Sequence, residues 1–129
     1  MKVQLVVAQK TKRIICTHHE KGKTHDFRLF RKSRLSINKK RLVKTDSGFQ
    51  GIQQLHALSH LPVKSSKHRP LTARDRKANL KLARQRVAIE HVIGRIKVFR
   101  IMAERYRNRR RKHNLRMQLI CGIYNFELI

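Results

Sequence analysis

The chain has 129 residues, 40% of them hydrophobic, which is enough for one domain with a real core. Lysine and arginine number 33 against 7 aspartates and glutamates, and the formal net charge is +26. No apolar run approaches the roughly 20 residues that a helix needs to cross a bilayer. Self-repulsion on this scale predicts a polyanionic partner, DNA or RNA, with an anionic membrane surface as the alternative.

The first 64 residues predict the strands of a sheet. Residues 3–8 are almost continuously apolar and β-branched, as in a strand covered on both faces, and residues 13–18 predict its neighbour. A short helix starting at His25 places Phe27 and Phe30 on its inner side. Three shorter elements follow: a strand at residues 41–45, a helical turn at 50–55 and a last strand at 61–64.

The rest of the chain, residues 72–129, predicts helices after a basic linker at 65–71. Thr72 and Asp75 have the spacing of a capping box, in which each side chain accepts from the other residue's backbone N–H. The helix that follows is predicted to reach about Ile101, and a closing amphipathic helix ends the chain. Their apolar stripes are Leu82, Ile89, Val92, Ile96 and Phe99 in the first helix, and Leu115, Leu119, Ile123 and Phe126 in the second. The chain is therefore predicted to be α/β, one domain with a mixed sheet.

Two of the seven acidic residues stand where a metal ion would need them. Asp46 closes a predicted strand, and the Ser-Gly pair after it leaves room for a bulky phosphate. Glu90 lies mid-helix, and its spacing from Arg86 and Lys97 puts all three on one face. Carboxylates repel a bound phosphate unless a divalent cation lies between them, as in metal-assisted phosphoryl transfer. The simpler alternative is that Glu90 pairs with Arg86 on a solvated face and Asp46 caps the following turn.

Four ordered segments carry a family resemblance: KTHDFRLF at residues 23–30, TDSGFQG at 45–51, RQRVAIEHVIGRIK at 84–97 and IYNFEL at 123–128. With them the chain resembles bacterial insertion-sequence transposases of the Insertion Sequence Five family, of the DDE superfamily endonuclease type. The resemblance implies a ribonuclease-H-like fold in which three carboxylates hold two divalent metals, Mg²⁺ or Mn²⁺. It also implies double-stranded DNA, both transposon ends and target, as the substrate. Water and then the freed 3′-hydroxyl would attack its phosphodiesters.

On this resemblance Asp46 matches the second acidic residue of the family and Glu90 the third, so both are the expected catalytic metal ligands. Arg86 and Lys97 match the basic members of the helix signature around that glutamate. The first catalytic aspartate of the family lies on a strand upstream of Met1. The chain thus resembles the C-terminal part of a transposase, lacking the first strand. We expect it to be inactive alone and to act with an N-terminal half or a full-length transposase.

Further residues are expected to support the site. His25 and Asp26 match the His-Asp pair on the family's first helix. We expect Asp26 to lie near the positive helix N-terminus and to support the metal ligands from behind rather than to bind the metal. Phosphate contacts without base specificity are expected from these basic residues: Arg86, Lys97, Arg107, Arg109, Arg110 and Arg111.

Two other functional classes remain open on the sequence alone. One is a non-catalytic, basic DNA- or RNA-binding protein, and the other is a regulatory fragment that binds full-length transposase or its DNA ends. Cys16 and Cys121 are solitary in apolar stretches, which indicates buried thiols in a reducing compartment. We therefore expect a bacterial cytoplasmic chain associated with the nucleoid. His18 and His19 beside Cys16 lack a second pair with zinc spacing.

Overall fold

The computed structural model describes residues 1–103 and 110–128, and within these ranges it confirms an α/β chain. The strands are β1 (Lys2–Val7), β2 (Ile14–Glu20), β3 (Val43–Lys44) and β4 (Ser59–His60). The helices are α1 (Asp26–Ser33), α2 (Ala73–Ile96), α3 (Arg100–Ala103) and α4 (His113–Glu127). The strands form two two-stranded sheets, β1–β2 and β3–β4, rather than one mixed sheet. The chain divides into two compact units, Met1–Thr24 with Ala88–Ile129, and His25–Val87.

In the first unit, β1 and β2 form an antiparallel hairpin. The register runs from Lys2 opposite Glu20 to Val7 opposite Ile14, with one irregularity near the turn. Lys12 closes the turn with a positive φ of 59°. Both strands lie where the sequence predicts them, displaced slightly at their ends. Apolar, β-branched runs separated by polar residues were therefore a sufficient signal for this hairpin.

Polar side chains of α4 fix how this helix lies on the hairpin. Asn125 Oδ1 accepts from the Ile14 N–H and Asn125 Nδ2 donates to the Ile14 carbonyl, each at 2.9 Å. The Tyr124 hydroxyl donates to the Lys12 carbonyl at 2.8 Å. These bonds satisfy backbone groups that the hairpin leaves unpaired, and they set the rotation of α4 about its axis. The core that results consists of Ile14, Val92, Ile96, Met117, Ile120, Cys121 and Tyr124.

The apolar stripe predicted for the closing helix is wrong. Its members are 39% to 76% exposed: Leu115, Leu119, Ile123 and Phe126. The buried series is Met117, Ile120, Cys121 and Tyr124. Both series have helical spacing, so periodicity alone does not choose between them. The choice is made by Asn125 and Tyr124, whose bonds to the hairpin turn the second series inward.

Truncation at Met117 should therefore cost far more than truncation at Leu119, although both lie on α4. Met117 is 1% exposed and Leu119 is 65% exposed. We expect Met117→Ala to lower the free energy of unfolding by about 2–5 kcal/mol. Leu119→Ala should change it by about 0.5 kcal/mol or less, because a surface substitution leaves no cavity. Urea denaturation of the two variants measures both values, and equal losses would contradict the assignment of the buried face.

A buried histidine opens α4. His113 is 3% exposed, and its ring lies 5.3 Å from that of His19 on β2. Burial lowers the pKa of His113 below its ordinary value of 6.5, and the positive charges of His19 and of the chain's N-terminus lower it further. The folded state therefore favours the neutral imidazole.

We expect the stability of the chain to fall as the pH drops below about 6.5. The unfolded chain protonates His113 more readily than the folded chain, so the contribution is full above the unfolded pKa. It is lost as the pH falls towards the lower, folded pKa. Thermal unfolding of His113→Gln between about pH 7 and pH 5 should show a shallower decline than the parent. The exposed His68 offers the control, since His68→Gln should keep the parent slope, and an unchanged slope in His113→Gln would refute the assignment.

The start of α2 confirms the predicted capping box. The Thr72 N–H donates to Asp75 Oδ2 at 3.2 Å, and the Asp75 N–H donates to Thr72 Oγ1 at 3.1 Å. The hydrogen bonds from Thr72 stabilise the carboxylate and lower the pKa of Asp75. Two of the N–H groups near the helix start are thereby satisfied.

The end of α2 differs from the prediction. The helix ends at Ile96 instead of near Ile101, because the N–H groups of Val98 and Phe99 donate to carbonyls three residues back and tighten the turn. Val98 is 80% exposed and Phe99 is 38% exposed, so neither extends the buried stripe. The predicted stripe is correct for Leu82, Val92 and Ile96, and Phe99 does not belong to it.

The second unit joins α1 to the short parallel pair β3–β4. Val43 pairs with Ser59, and Lys44 pairs with His60. The buried His56 ring supports this pair through a 2.6 Å hydrogen bond between its Nε2 and the Arg41 carbonyl. The buried apolar residues of the unit are Leu29, Phe30, Ile52 and Leu82.

The last strand lies two residues before its predicted position. Residues 61–64 are apolar enough for a strand, but α2 binds this segment instead. Asn79 Oδ1 accepts from the Val63 N–H at 2.8 Å, and Asn79 Nδ2 donates to the Val63 carbonyl at 3.0 Å. The backbone groups that a strand would need at Val63 are therefore already paired with a side chain.

Within the described ranges, no helix is long and apolar enough to cross a membrane. Both cysteines are free thiols. Burial raises the pKa of Cys16 and of Cys121, so their thiols stay protonated at neutral pH and act as small apolar groups.

Candidate functional site

Asp46 follows β3 and begins a short 3₁₀ turn, Ser47–Phe49. Its Oδ1 accepts from the Gly48 N–H at 2.9 Å, so the capping role considered from the sequence is correct. The cap uses only one carboxylate oxygen. Oδ2 faces Arg86, whose Nη2 lies 3.7 Å away, and the Asp46 side chain is 46% exposed. The turn thus fixes one oxygen of Asp46 and directs the other towards a cation.

A second carboxylate reaches the same turn. A Cβ at Gly48 would collide with Asp26 Oδ2 and would lie 3.1 Å from Asp46 Oδ1. The carboxylates of Asp26 and Asp46 therefore converge on the space beside Gly48. The sequence predicted room there for a phosphate, but the Asp26 carboxylate occupies it.

Aromatic contacts hold α1 against this loop and deliver Asp26 to it. Gly51 has a positive φ of 97°, and a Cβ there would meet the Phe27 ring at 3.1 Å. The Phe30 and Phe49 rings pack edge to face, with centroids 6.5 Å apart. Asp26 lies in the first turn of α1, one residue before Phe27. The position of Asp26 beside Gly48 therefore follows from the packing of Phe27 and Phe30 of α1 against the loop.

Arg86 brings positive charge from α2 to this acidic pair. Its side chain is 23% exposed, and its contact with Asp46 is longer than a hydrogen bond. An ion pair of this kind contributes about 0–1 kcal/mol, so it does not lock either side chain. The contact places a cationic group beside Asp46 Oδ2, and a stronger cation can displace it.

The donor set at this site fits a hard divalent cation. Carboxylate oxygens are the protein ligands that Mg²⁺ and Mn²⁺ prefer. The absence of a side chain at Gly48 lets the Asp26 carboxylate approach the turn that holds the Asp46 carboxylate. Among the described residues no group of three or more His, Cys, Asp and Glu side chains lies together. The two carboxylates beside Gly48 are therefore fewer than such a group would need.

The sequence as a whole matches one family along almost its entire length. The profile of the family described as DDE superfamily endonuclease covers residues 1–125. The chain belongs to this family. Its members generally use divalent metals, and carboxylate oxygens such as those of Asp46 are suitable ligands for them. The resemblance drawn from the four sequence segments is thereby confirmed.

Similarity to a transposase supports the same assignment. The chain is 46% identical over 128 residues to the probable transposase for insertion sequence element IS702 from Microchaete diplosiphon. The alignment covers 99% of this chain and 46% of that transposase, so the chain spans about half of its relative's length. No solved structure is significantly similar to the chain.

The remaining predicted residues of this DDE endonuclease chain lie on several elements. Glu90 is exposed on α2, within the part of that helix that belongs to the first unit. Lys97 is exposed in the turn after α2, and His25 is exposed at the start of α1. Arg110 and Arg111 begin a 3₁₀ turn before α4. Arg107 and Arg109 lie outside the described residues. The approach of Glu90 to Asp46 remains a prediction.

Sequence reasoning placed Asp26 near the site but missed its contact with the turn after Asp46. The two aspartates are twenty residues apart, and no periodicity links them. The available signal was the pair of glycines, Gly48 and Gly51, three residues apart after an aspartate. Glycines so placed mark a close approach of another element. The sequence did not indicate that α1 is the element that approaches these glycines.

Proposed function

We propose that this chain supplies two of the three metal-binding carboxylates of a DNA transposase, Asp46 and Glu90, on a ribonuclease-H-like catalytic domain. The proposal rests on the arrangement of the two carboxylate oxygens of Asp46. The Gly48 N–H holds one of its oxygens, and the other is directed at a cationic group 3.7 Å away. An aspartate held in this way at a strand end is prepared for a metal before the metal arrives. Membership of the DDE superfamily endonucleases supports the same chemistry.

In this proposal Asp46 and Glu90 bind Mg²⁺ or Mn²⁺ through carboxylate oxygens. Bound divalent cations supply Lewis acidity, which activates an attacking hydroxyl and stabilises the leaving oxygen of a phosphodiester. The Gly48 N–H keeps the Asp46 carboxylate in one rotamer, so little reorganisation accompanies binding. A divalent cation at Asp46 would replace Arg86, whose guanidinium would then be free to contact a DNA phosphate.

Double-stranded DNA is the proposed substrate, both as transposon ends and as target. The net charge of +26 supports a backbone-binding mode that is largely independent of base sequence. Arg86 and Lys97 contact phosphates beside the metal. The Arg-rich segment extends the contact along the backbone through Arg107, Arg109, Arg110 and Arg111.

The proposal requires more than residues 1–129. Two carboxylates do not complete the three-carboxylate site that the family resemblance implies. The third would come from a segment equivalent to the unmatched half of the IS702 relative, as part of the same protein or as a separate chain. Without it we propose that the chain binds DNA and has little or no cleavage activity.

Reconstitution tests this function. The chain would be mixed with, or fused to, a polypeptide equivalent to the unmatched half of the relative, and DNA carrying a transposon end would be added. We expect cleavage that requires Mg²⁺ or Mn²⁺ and both polypeptides. Cleavage by the chain alone with Asp46 replaced would contradict the proposal. Inhibition of a full-length transposase, without cleavage in any mixture, would favour the regulatory fragment instead.

A further inference from the structure

The space beside Gly48 is occupied by neighbouring side chains. The φ of Gly48 does not lie in the left-handed region, so an alanine there has no intrinsic backbone penalty. The obstacle is steric, because the Asp26 carboxylate occupies the volume of a Cβ and the Asp46 carboxylate borders it at 3.1 Å. A larger residue at position 48 would therefore require the Asp26 carboxylate to move.

The surroundings of the other glycines differ from those of Gly48. At Gly51 the backbone itself needs glycine, with φ of 97°. Among the described residues, no atom lies within 4 Å of a Cβ built at Gly94 on α2 or at Gly122 on α4. At Gly48, in contrast, a carboxylate fills the space of the missing side chain.

The contact is built into the packing of α1. Phe27 against Gly51 and Phe30 against Phe49 hold the first turn of the helix beside the loop. These contacts place the backbone of Asp26 beside the loop, so its carboxylate can leave Gly48 only by rotation of the side chain. In this position the negative charge of Asp26 lies near the carboxylate of Asp46, and Arg86 offsets part of this charge at 3.7 Å from Asp46.

We infer that Asp26 is a positioning residue for Asp46. It packs against Gly48, whose N–H holds Asp46 Oδ1, and it adds a second negative charge where Asp46 binds a divalent cation. The inference rests on the proposed function, since it assumes that Asp46 is a metal ligand. A negative charge at the N-terminus of α1 would by itself affect only the stability of that helix. The inference gives Asp26 a second role, which acts on Asp46.

The steric part is tested by a double-mutant cycle in the whole chain. Gly48→Ala should lower Tm in the parent, and it should lower Tm much less in an Asp26→Ala background, where the colliding oxygen is gone. Gly94→Ala is the control, because its Cβ meets nothing and alanine favours a helix. It should not lower Tm in either background. An equal loss from Gly48→Ala in both backgrounds would overturn the steric coupling.

The electrostatic part is tested with Mn²⁺ as the probe, followed by broadening of the backbone amide signals of Ser47 and Gly48 in NMR spectra. Asp26→Asn keeps the shape of the side chain and removes its charge. We expect it to weaken Mn²⁺ affinity at this turn by about 10-fold or more, as partners of metal ligands commonly do. Asp75→Asn removes the same charge from the first turn of α2 and should leave the affinity unchanged.

The outcomes separate this inference from the proposed function. Mn²⁺ broadening that disappears in Asp46→Asn but is unchanged in Asp26→Asn would overturn the role of Asp26 and leave Asp46 as a ligand. The absence of any Asp46-dependent broadening in the parent chain would overturn the proposed function and this inference together. Weakening in Asp26→Asn with normal folding, and none in Asp75→Asn, supports both.

Discussion

DNA binding by the isolated chain should fall by about 10³- to 10⁵-fold between 50 and 200 mM salt, which is the loss for a protein making roughly 6–10 phosphate contacts. The chain has 33 basic and 7 acidic residues, so we expect its affinity for DNA to come mainly from neutralising phosphates and releasing their counterions. Binding should not require a metal. Fluorescence anisotropy with unrelated duplexes of equal length, without Mg²⁺, measures the salt slope.

Charge reversal in the run Arg109–Arg110–Arg111 tests whether this segment contributes to DNA binding. We expect reversal to weaken binding to all duplexes alike and to reduce the salt slope, because phosphate contacts carry no base information. Reversal of the exposed run Lys39–Lys40–Arg41, which changes the net charge equally, is the matched control and should have a smaller effect. Affinity that does not respond to salt, or a loss confined to one DNA sequence, would contradict backbone binding.

The largest effect on catalysis should follow from Asp46→Ala and from Glu90→Ala in the reconstituted enzyme. Each removes a metal ligand, and losing about 4 kcal/mol of transition-state stabilisation lowers the rate by roughly 10³-fold. DNA binding should persist or become tighter, because local negative charge beside the phosphates is removed. Single-turnover cleavage at saturating protein separates the two quantities.

Acidic residues elsewhere provide the controls for this loss. Asp75→Ala and Glu127→Ala remove the same charge from the start of α2 and the end of α4. We expect both to retain parent cleavage rates once stability is matched. A rate in Asp46→Ala within tenfold of the parent would show that Asp46 does not hold the metal.

Elements specified by local sequence were predictable, and those that depend on tertiary contacts were not. The hairpin strands and the Thr72–Asp75 capping box follow from neighbouring residues, and the structure confirms them. The rotation of α4 depends on Asn125 bonding to Ile14, more than a hundred residues earlier. Hydrophobic periodicity carries no information about such a bond. The stripe of α4 that is exposed was therefore predicted to be buried.

The candidate site shows the same division. Asp46 was identified from its place after an apolar run, and its capping bond to Gly48 is local. Its partners are not local, because Arg86 arrives on α2 and Asp26 on α1. The sequence placed Arg86 on one face with Glu90, whereas the structure brings its guanidinium to Asp46. Side-chain length and helix packing decide such a pairing, and neither can be deduced from spacing.

The central claim is that Asp46 and Glu90 hold one metal site, and anomalous diffraction from crystals grown with Mn²⁺ tests it most directly. We predict a Mn²⁺ peak about 2.2 Å from oxygens of both residues, a distance typical of hard cations and carboxylates. The carboxylates should lie roughly 4–8 Å apart, as a two-metal spacing of about 3.5–4 Å requires. Carboxylates on opposite faces of the protein, with Mn²⁺ bound to neither, would contradict the claim.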